Sequence, residues 1–281
     1  MASLRNLLGR LLPQPVGRLV AAVRRRLGSM RRTADPSSGM RMAKIGVEMV
    51  RPDLAQPVAR SAVPLRVKDL EGDPVRLRPR SRDGNAFDMV FQEGLHLPPP
   101  EIDGPLGRIA VFGANIGLPL ADLGTRYPSA RLLGVEPDAE NAVLARANVA
   151  PLGDRCTIVE AAVWWEDATL TLSWTHDAWG FDLAEAAEPG APTEVVEAVA
   201  ADRLLEGFAG GKPVDYLLVN IESAWHELLS HGEWTRNVRC IKIEVQTRYD
   251  DAVPLLERLG YTARMERLDW GAFAIGVKEV A

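Results

Sequence analysis

Ile109-Ala-Val-Phe-Gly113-Ala-Asn-Ile-Gly117 is an apolar run that opens onto two glycines, and Arg131-Leu-Leu-Gly-Val-Glu136 is a second apolar run that ends in an acid. Short apolar runs punctuated by glycine read as buried strands leading into crossover helices. Glu136 stands 19 residues after Gly117. Glycines at such a turn let the backbone approach a ligand closely, and an acid at the tip of the next strand can accept both hydroxyls of a ribose. The pair points to a nucleoside-containing cofactor on a parallel sheet.

The glycine spacing narrows the cofactor. A pyrophosphate cradle needs G-x-G-x-x-G at a helix N-terminus, and here Asn115 and Leu118 hold the second and third glycine positions. That disfavours a dinucleotide, and with it an NAD-dependent oxidoreductase. S-adenosylmethionine has no phosphate to hold, so a G-x-N-x-G turn with Glu136 on the ribose suits it. The bland alternative is an ordinary strand-turn-helix with a solvated glutamate.

Outward from this unit the alternation continues. Strands are expected at 109–112, 131–135 and 156–160, with helices at 119–126 and 138–149 between them, the pattern of right-handed βαβ crossovers. Residues 164–200 break the rhythm, with strand-like stretches at Thr169–Trp174 and Val195–Val199 around an Ala/Glu/Pro/Gly-rich segment. The alternation resumes with a strand at 214–221, a helix near 224–229, a strand at 240–245, a helix at 251–259 and closing strands near 261–266 and 272–277. The last two are short-linked and therefore antiparallel. The expected fold is α/β, a Rossmann-like methyltransferase sheet, mostly parallel with an antiparallel last strand.

Upstream, Val63-Pro-Leu-Arg-Val and Pro74-Val-Arg-Leu-Arg-Pro alternate around Glu71-Gly72-Asp73 and read as a hairpin, and a short helix is expected at 86–93. Residues 33–62, with Pro36, Pro52 and Pro57, read as a linker. The domain reading is a basic N-terminal segment and linker at 1–62, a hairpin and opening motif at 63–107, and the cofactor domain at 108–281.

With 281 residues, 47% of them apolar, the chain can bury a large core and still carry an appendage. A net charge of -5 gives no overall attraction to nucleic acid. The charge is uneven, because residues 1–34 hold eight arginines and no acid. Leu4, Leu7, Leu8, Leu11 and Leu12 lie at helical spacing among them, and Val16–Leu27 resumes the pattern. Such a segment can lie on an anionic membrane surface or dock on an acidic partner through residues 1–33; it can equally be a tail or a helix packed on its own domain. The two cysteines, Cys156 and Cys240, belong to no C-x-x-C or Cys/His cluster, so no metal ligand set or disulfide framework is signalled, and a reducing cytoplasm fits. Both sit beside strand-like runs and read as buried, inert thiols.

From about residue 63 to 277 the chain resembles the FkbM family of S-adenosylmethionine-dependent methyltransferases. Arg78-Pro79-x-Ser81-x-Asp83 with Phe87, Val90-Phe91 and Gly94 is similar to the family's opening motif, whose closing tyrosine corresponds to His96. Gly113-Ala114-Asn115-Ile-Gly117 is similar to its glycine turn, Val135-Glu136-Pro137-Asp138 to its ribose-binding acid, and Glu160-Ala-Ala162-Val-Trp164 to the loop that flanks the adenine. Trp179-Gly-Phe181, Val214 to Glu222, Trp234 and Val238 to Glu244 follow in order. The resemblance implies a methyl transfer to a hydroxyl of a sugar, glycolipid or secondary metabolite, so the partner is a small-molecule or glycan acceptor.

The chain also departs from the family. Val111 replaces an aspartate two residues before the first glycine, and Gln246 a histidine. Lys-Ile-Asp-Ile-Glu-Gly-Ala-Glu is represented by Leu218, Val219, Asn220, Ile221, Glu222, Ser223, Ala224 and Trp225. A hydroxyl acceptor wants a base to take its proton during attack, and an amide such as Asn220 cannot serve. Glu222 is the best remaining acid at the expected edge, although a carboxylate at a helix N-terminus is also at home there for the macrodipole alone. Glu244 ends the next strand and could face the same cleft or pair with Lys242 or Arg248. His226 lies one turn into the following helix, and His176 and Asp177 sit in a tryptophan-flanked loop suited to a sugar face. A second reading is a catalytically impaired relative that keeps the sheet and the cofactor and works as a scaffold.

Overall fold

The computed structural model describes residues 25, 27–50, 61–79, 81–174, 181–183, 193–245, 251–268 and 271–280. The chain divides into two compact units after Leu95.

In the first unit, helix α1 (Pro36–Val50) occupies half of the stretch expected as a linker. The physical signal was an N-terminal cap. The Asp35 carboxylate accepts hydrogen bonds from the backbone N–H of Ser38 (2.9 Å) and from the Ser37 and Ser38 hydroxyls, which hold its carboxyl well below the usual range. Pro36 takes the first helical position, where its missing N–H costs nothing. Met42 and Ile45, 0% and 1% exposed, supply an apolar contact at helical spacing. Strands β1 (Val63–Arg66) and β2 (Pro74–Leu77) form the expected antiparallel hairpin, with Leu65 opposite Val75 and both buried.

Helix α2 (Asp83–Phe87) runs into a π-helical turn at Asp88–Gln92. The opening motif ties itself together here. Buried Asp83 accepts from the backbone N–H of Arg78 (2.7 Å) and from Nε and Nη2 of its guanidinium (3.0 Å each), while the Ser81 hydroxyl donates to the Arg78 carbonyl and accepts from Asp83 N–H. These bonds account for the motif's arginine, serine and aspartate as a structural knot.

The second unit is built on a seven-stranded sheet in the order β12-β13-β11-β10-β3-β4-β5. Its parallel part comprises β3 (Arg108–Phe112), β4 (Arg131–Glu136), β5 (Cys156–Glu160), β10 (Tyr216–Val219) and β11 (Cys240–Val245). The closing strands β12 (Thr262–Arg267) and β13 (Ala272–Val277) are antiparallel, and β13 inserts beside β11. This order, reversing between β3 and β10 and ending in an inserted antiparallel strand, is the Rossmann-like methyltransferase arrangement expected above.

The strands bury both faces by alternation. Ala110, Phe112, Leu217, Val219, Ile241 and Ile243 face a core completed by helices α5 (Ala201–Ala209), α6 (Ala224–Ser230) and α7 (Ala252–Arg258). Ile109, Val111, Tyr216, Leu218 and Cys240 face the opposite core, closed by α3 (Leu118–Arg126) and Val149 of α4 (Ala139–Val149). Val111 is fully buried there.

The irregular stretch between β5 and α5 forms a separate four-stranded sheet in the order β6-β9-β7-β8, from β6 (Ala162–Trp164), β7 (Ala168–Trp174), β8 (Phe181–Leu183) and β9 (Thr193–Ala200).

The first unit ends at Leu95, where the sequence reading extended its second segment to 107. Residues 96–107 are held by the second unit's own side chains. The His96 ring bonds Asp122 of α3 (2.8 Å), Tyr216 donates its hydroxyl to the His96 carbonyl (2.9 Å), and Lys242 Nζ donates to the Leu97 carbonyl (3.1 Å). Such anchors, coming from far along the chain, leave no mark on local pattern. Among the described residues, no helix is long and apolar enough to cross a membrane. The N-terminal amphipathic segment lies outside the described residues up to residue 24.

Candidate functional site

At the carboxyl ends of β3 and β4, the residues singled out in the sequence come together. Gly113 and Gly117 both have φ of +80°, and Asn115 has φ of +49°, so the turn uses the left-handed region three times in five residues. Each of its backbone N–H groups has a partner. Gly113 N–H and Ala114 N–H go to the Val135 carbonyl (2.9 Å each), Asn115 N–H to Glu136 Oε2 (2.7 Å), Ile116 N–H to Asn115 Oδ1 (2.7 Å), and Gly117 N–H to the Ala114 carbonyl (2.9 Å).

The glycines also meet packing demands. A Cβ on Gly113 would lie 1.8 Å from the Asn220 carbonyl oxygen, and one on Gly117 would lie 2.9 Å from Ala145 Cα on α4. The turn is thus wedged between the end of β10 and the flank of α4.

Glu136, 5% exposed, is the acid at the tip of β4. Its Oε1 accepts from Asp138 N–H (3.2 Å) and Asn141 Nδ2 (3.3 Å), and its Oε2 takes the turn's Asn115 N–H. Burial pushes its carboxyl up to about 7, against those hydrogen bonds, which pull it down. Oε1 is thus filled by two donors, while Oε2, with one, retains acceptor capacity for a hydroxyl. Pro137, partly exposed, leads into α4, whose N-cap Asp138 accepts from Asn141 N–H (2.6 Å). Ala162 is buried at the start of β6.

The second half of the site lies at the ends of β10 and β11. Asn220 is exposed, with its backbone N–H bonded to the Phe112 carbonyl (2.8 Å). Glu222 follows with φ of +49° in the turn before α6. Glu244 on β11 is pushed up to about 7, first by burial and then by the negative charge of Glu222. The two carboxylates therefore share one electrostatic environment, and of the two partners expected for Glu244, Lys242 is engaged elsewhere. Lys242 donates to the Leu97 carbonyl and lies 4.7 Å over the Phe273 ring, and Arg248 lies outside the described residues.

His226, expected beside Glu222, has its Nε2 within 2.7 Å of Asp251 Oδ2 at the start of α7. Asp251 was missed in the sequence because nothing in the spacing links a helix histidine to an aspartate 25 residues on. Trp165 stacks on His231 with ring centroids 4.2 Å apart, and Trp164 is buried. The loop holding His176 and Asp177 lies outside the described residues. Both cysteine thiols are pushed up to about 12 by burial, as inert thiols should be. Among the described residues, no group of three or more His, Cys, Asp or Glu could hold a metal ion.

No family model and no curated protein matches the chain. Among solved structures it is similar to precorrin-6y C5,15-methyltransferase from Geobacter metallireducens, at 14% identity and a TM-score of 0.40, over 64% of this chain and 84% of that one. It is similar to an O-methyltransferase family protein from Burkholderia thailandensis, at 13% identity and a TM-score of 0.45, over 72% and 60%. A third is the M. capricolum TrmK complex with S-adenosyl-homocysteine, at 10% identity and a TM-score of 0.40, over 62% and 63%. The chain thus spans less than two thirds of the last two. The fold assignment rests on the strand order and pairing given above.

Proposed function

We propose that the chain is an S-adenosylmethionine-dependent methyltransferase of the FkbM type, acting on a hydroxyl of a sugar, glycolipid or secondary metabolite. One observation supports the cofactor: the backbone N–H groups of the turn at 113–117 are all bonded to acceptors of the chain itself, next to a buried acid at the tip of β4 whose Oε2 retains acceptor capacity. A turn with its donors taken offers a phosphate little, whereas an ammonium and two ribose hydroxyls need acceptors. Glu136 would hold the ribose, with Pro137 and Ala162 beside the base and the Gly113–Gly117 turn under the methionine portion. When bound, the cofactor supplies a methyl group on a sulfonium, open to in-line attack.

The chain's own work is then to align an acceptor and take its proton. Glu244, at about 7, is a base matched to neutral pH, with Glu222 beside it in charge. His226, held by Asp251, stands on the helix that follows Glu222. Asn220 serves neither as acid nor as base; its carbonyl fixes the turn.

Calorimetric titration with S-adenosylmethionine and S-adenosylhomocysteine tests the reading. Glu136→Ala should weaken both by at least roughly tenfold, since charge-assisted bonds to two hydroxyls are lost; unchanged affinity would sink the assignment. The amide at Asn220 favours a second reading, a relative that binds the cofactor without turnover, and methyl transfer to any member of a broad acceptor panel excludes it.

A further inference from the structure

Helix α4 places three residues against the candidate cofactor site at spacings of four and three, one face of a helix. Asn141 Nδ2 donates to Glu136 Oε1 (3.3 Å), Ala145 fills the space a Cβ on Gly117 would need, and Asn148 Nδ2 donates to the Ile116 carbonyl (2.8 Å). Asn148 is 2% exposed. It lies in the last turn of α4, and an amide buried there is costly unless its hydrogen bonds are made. Its partner is a carbonyl in the middle of the glycine turn, the part of the chain whose backbone is most unusual.

We propose that Asn141 and Asn148 are positioning residues through which α4 sets the two ends of the cofactor site separately, Asn141 the ribose acid and Asn148 the turn under the amino-acid end. The proposal rests on the S-adenosylmethionine reading. The helix face acts as a gauge. Its rigid rise of about 1.5 Å per residue fixes the distance between the two asparagines, and so the offset between Glu136 and the turn. Ala145 between them is small enough to let α4 lie against Gly117.

Two ligands separate this from general scaffolding. S-adenosylhomocysteine carries both the ribose and the amino-acid end; 5′-methylthioadenosine carries the ribose and lacks the amino acid. Asn148→Ala should weaken S-adenosylhomocysteine roughly tenfold and leave 5′-methylthioadenosine within about twofold, the size expected of one supporting hydrogen bond. Asn141→Ala should weaken both ligands by similar factors, because both present the ribose to Glu136. Calorimetry of the full chain reads these ratios, with urea unfolding of each variant in parallel. If Asn148→Ala fails to fold, Asn148→Leu, which removes the donor at similar volume, carries the same ratio.

Equal losses for both ligands in the Asn148 variants, or no loss in either, overturn the proposal. Failure of the unsubstituted chain to bind S-adenosylhomocysteine would instead take down the cofactor reading, and this proposal with it. The two failures differ in which protein shows them.

Discussion

The two edges of the candidate site are built on opposite plans. At the β3–β4 edge the turn's donors are bonded, the acid is held by three hydrogen bonds, and α4 braces the turn from behind. At the β10–β11 edge two carboxylates face each other's charge, an asparagine stands exposed, and a histidine pairs with an aspartate that is half exposed. Binding requires a fixed shape, and proton transfer requires groups poised between two protonation states. Both edges carry a carboxyl raised to about 7, so it is the hydrogen bonding that marks the first as a binding surface and the neighbouring charges that mark the second as an acid-base surface.

The largest test of this contrast is Gly113→Ala. The new methyl would overlap the Asn220 carbonyl at 1.8 Å in a backbone with φ of +80°. Urea unfolding should show a loss of roughly 3 kcal/mol or more. A variant of near-native stability would mean that the binding edge yields, and the contrast would fall.

Glu244→Gln probes the other edge. A carboxyl whose folded value is raised from 4.5 to about 7 contributes stability that is complete below 4.5 and is lost as pH climbs through 7. The native chain should therefore lose on the order of 1–3 kcal/mol from this group between pH 5 and pH 8. The glutamine variant should be the more stable protein at pH 8 and show little difference at pH 5. Equal pH profiles for the two proteins would show that Glu244 is not under charge stress.

Ligand affinity should carry its own pH signature at the first edge. Ribose hydroxyls donate best to ionised Glu136, and burial pushes that carboxyl up to about 7 in the free chain. S-adenosylhomocysteine should bind about tenfold more weakly at pH 6 than at pH 8. Glu136→Gln should bind weakly and without that dependence; a native profile flat across this range would place the ribose elsewhere.

The smallest effect is expected at Asp251. Its pairing with His226 is between side chains 50% and 33% exposed, so Asp251→Asn should change stability by less than about 1 kcal/mol. A larger loss on thermal unfolding would show that the second edge, too, is structurally braced.

The sheet was legible from the sequence because its signals are local: apolar runs of strand length, glycines at the turn, a short link before the last strand. The helix at Pro36–Val50 was read as a linker because Asp-Pro-Ser-Ser serves both turns and helix caps, and only the burial of Met42 and Ile45 decides between them. Glu136 and the glycine turn are legible together because one strand and one crossover set their separation. Asp251, Asn141 and Asn148 were not, because each acts through a contact made by helix placement, and on α4 polar residues face inward as well as outward. The opening motif of Arg78 and Asp83 was visible as a pattern, yet its bonds close on themselves within the first unit.

The contact between Gly113 and residue 220 is made by a peptide oxygen, not by a side chain. The wedge that shapes the turn is therefore indifferent to which amino acid stands at 220. Exchange of the side chain at 220 would leave the packing against Gly113 as it is. Position 113 has no such latitude, because its freedom is spent on the backbone of its neighbour.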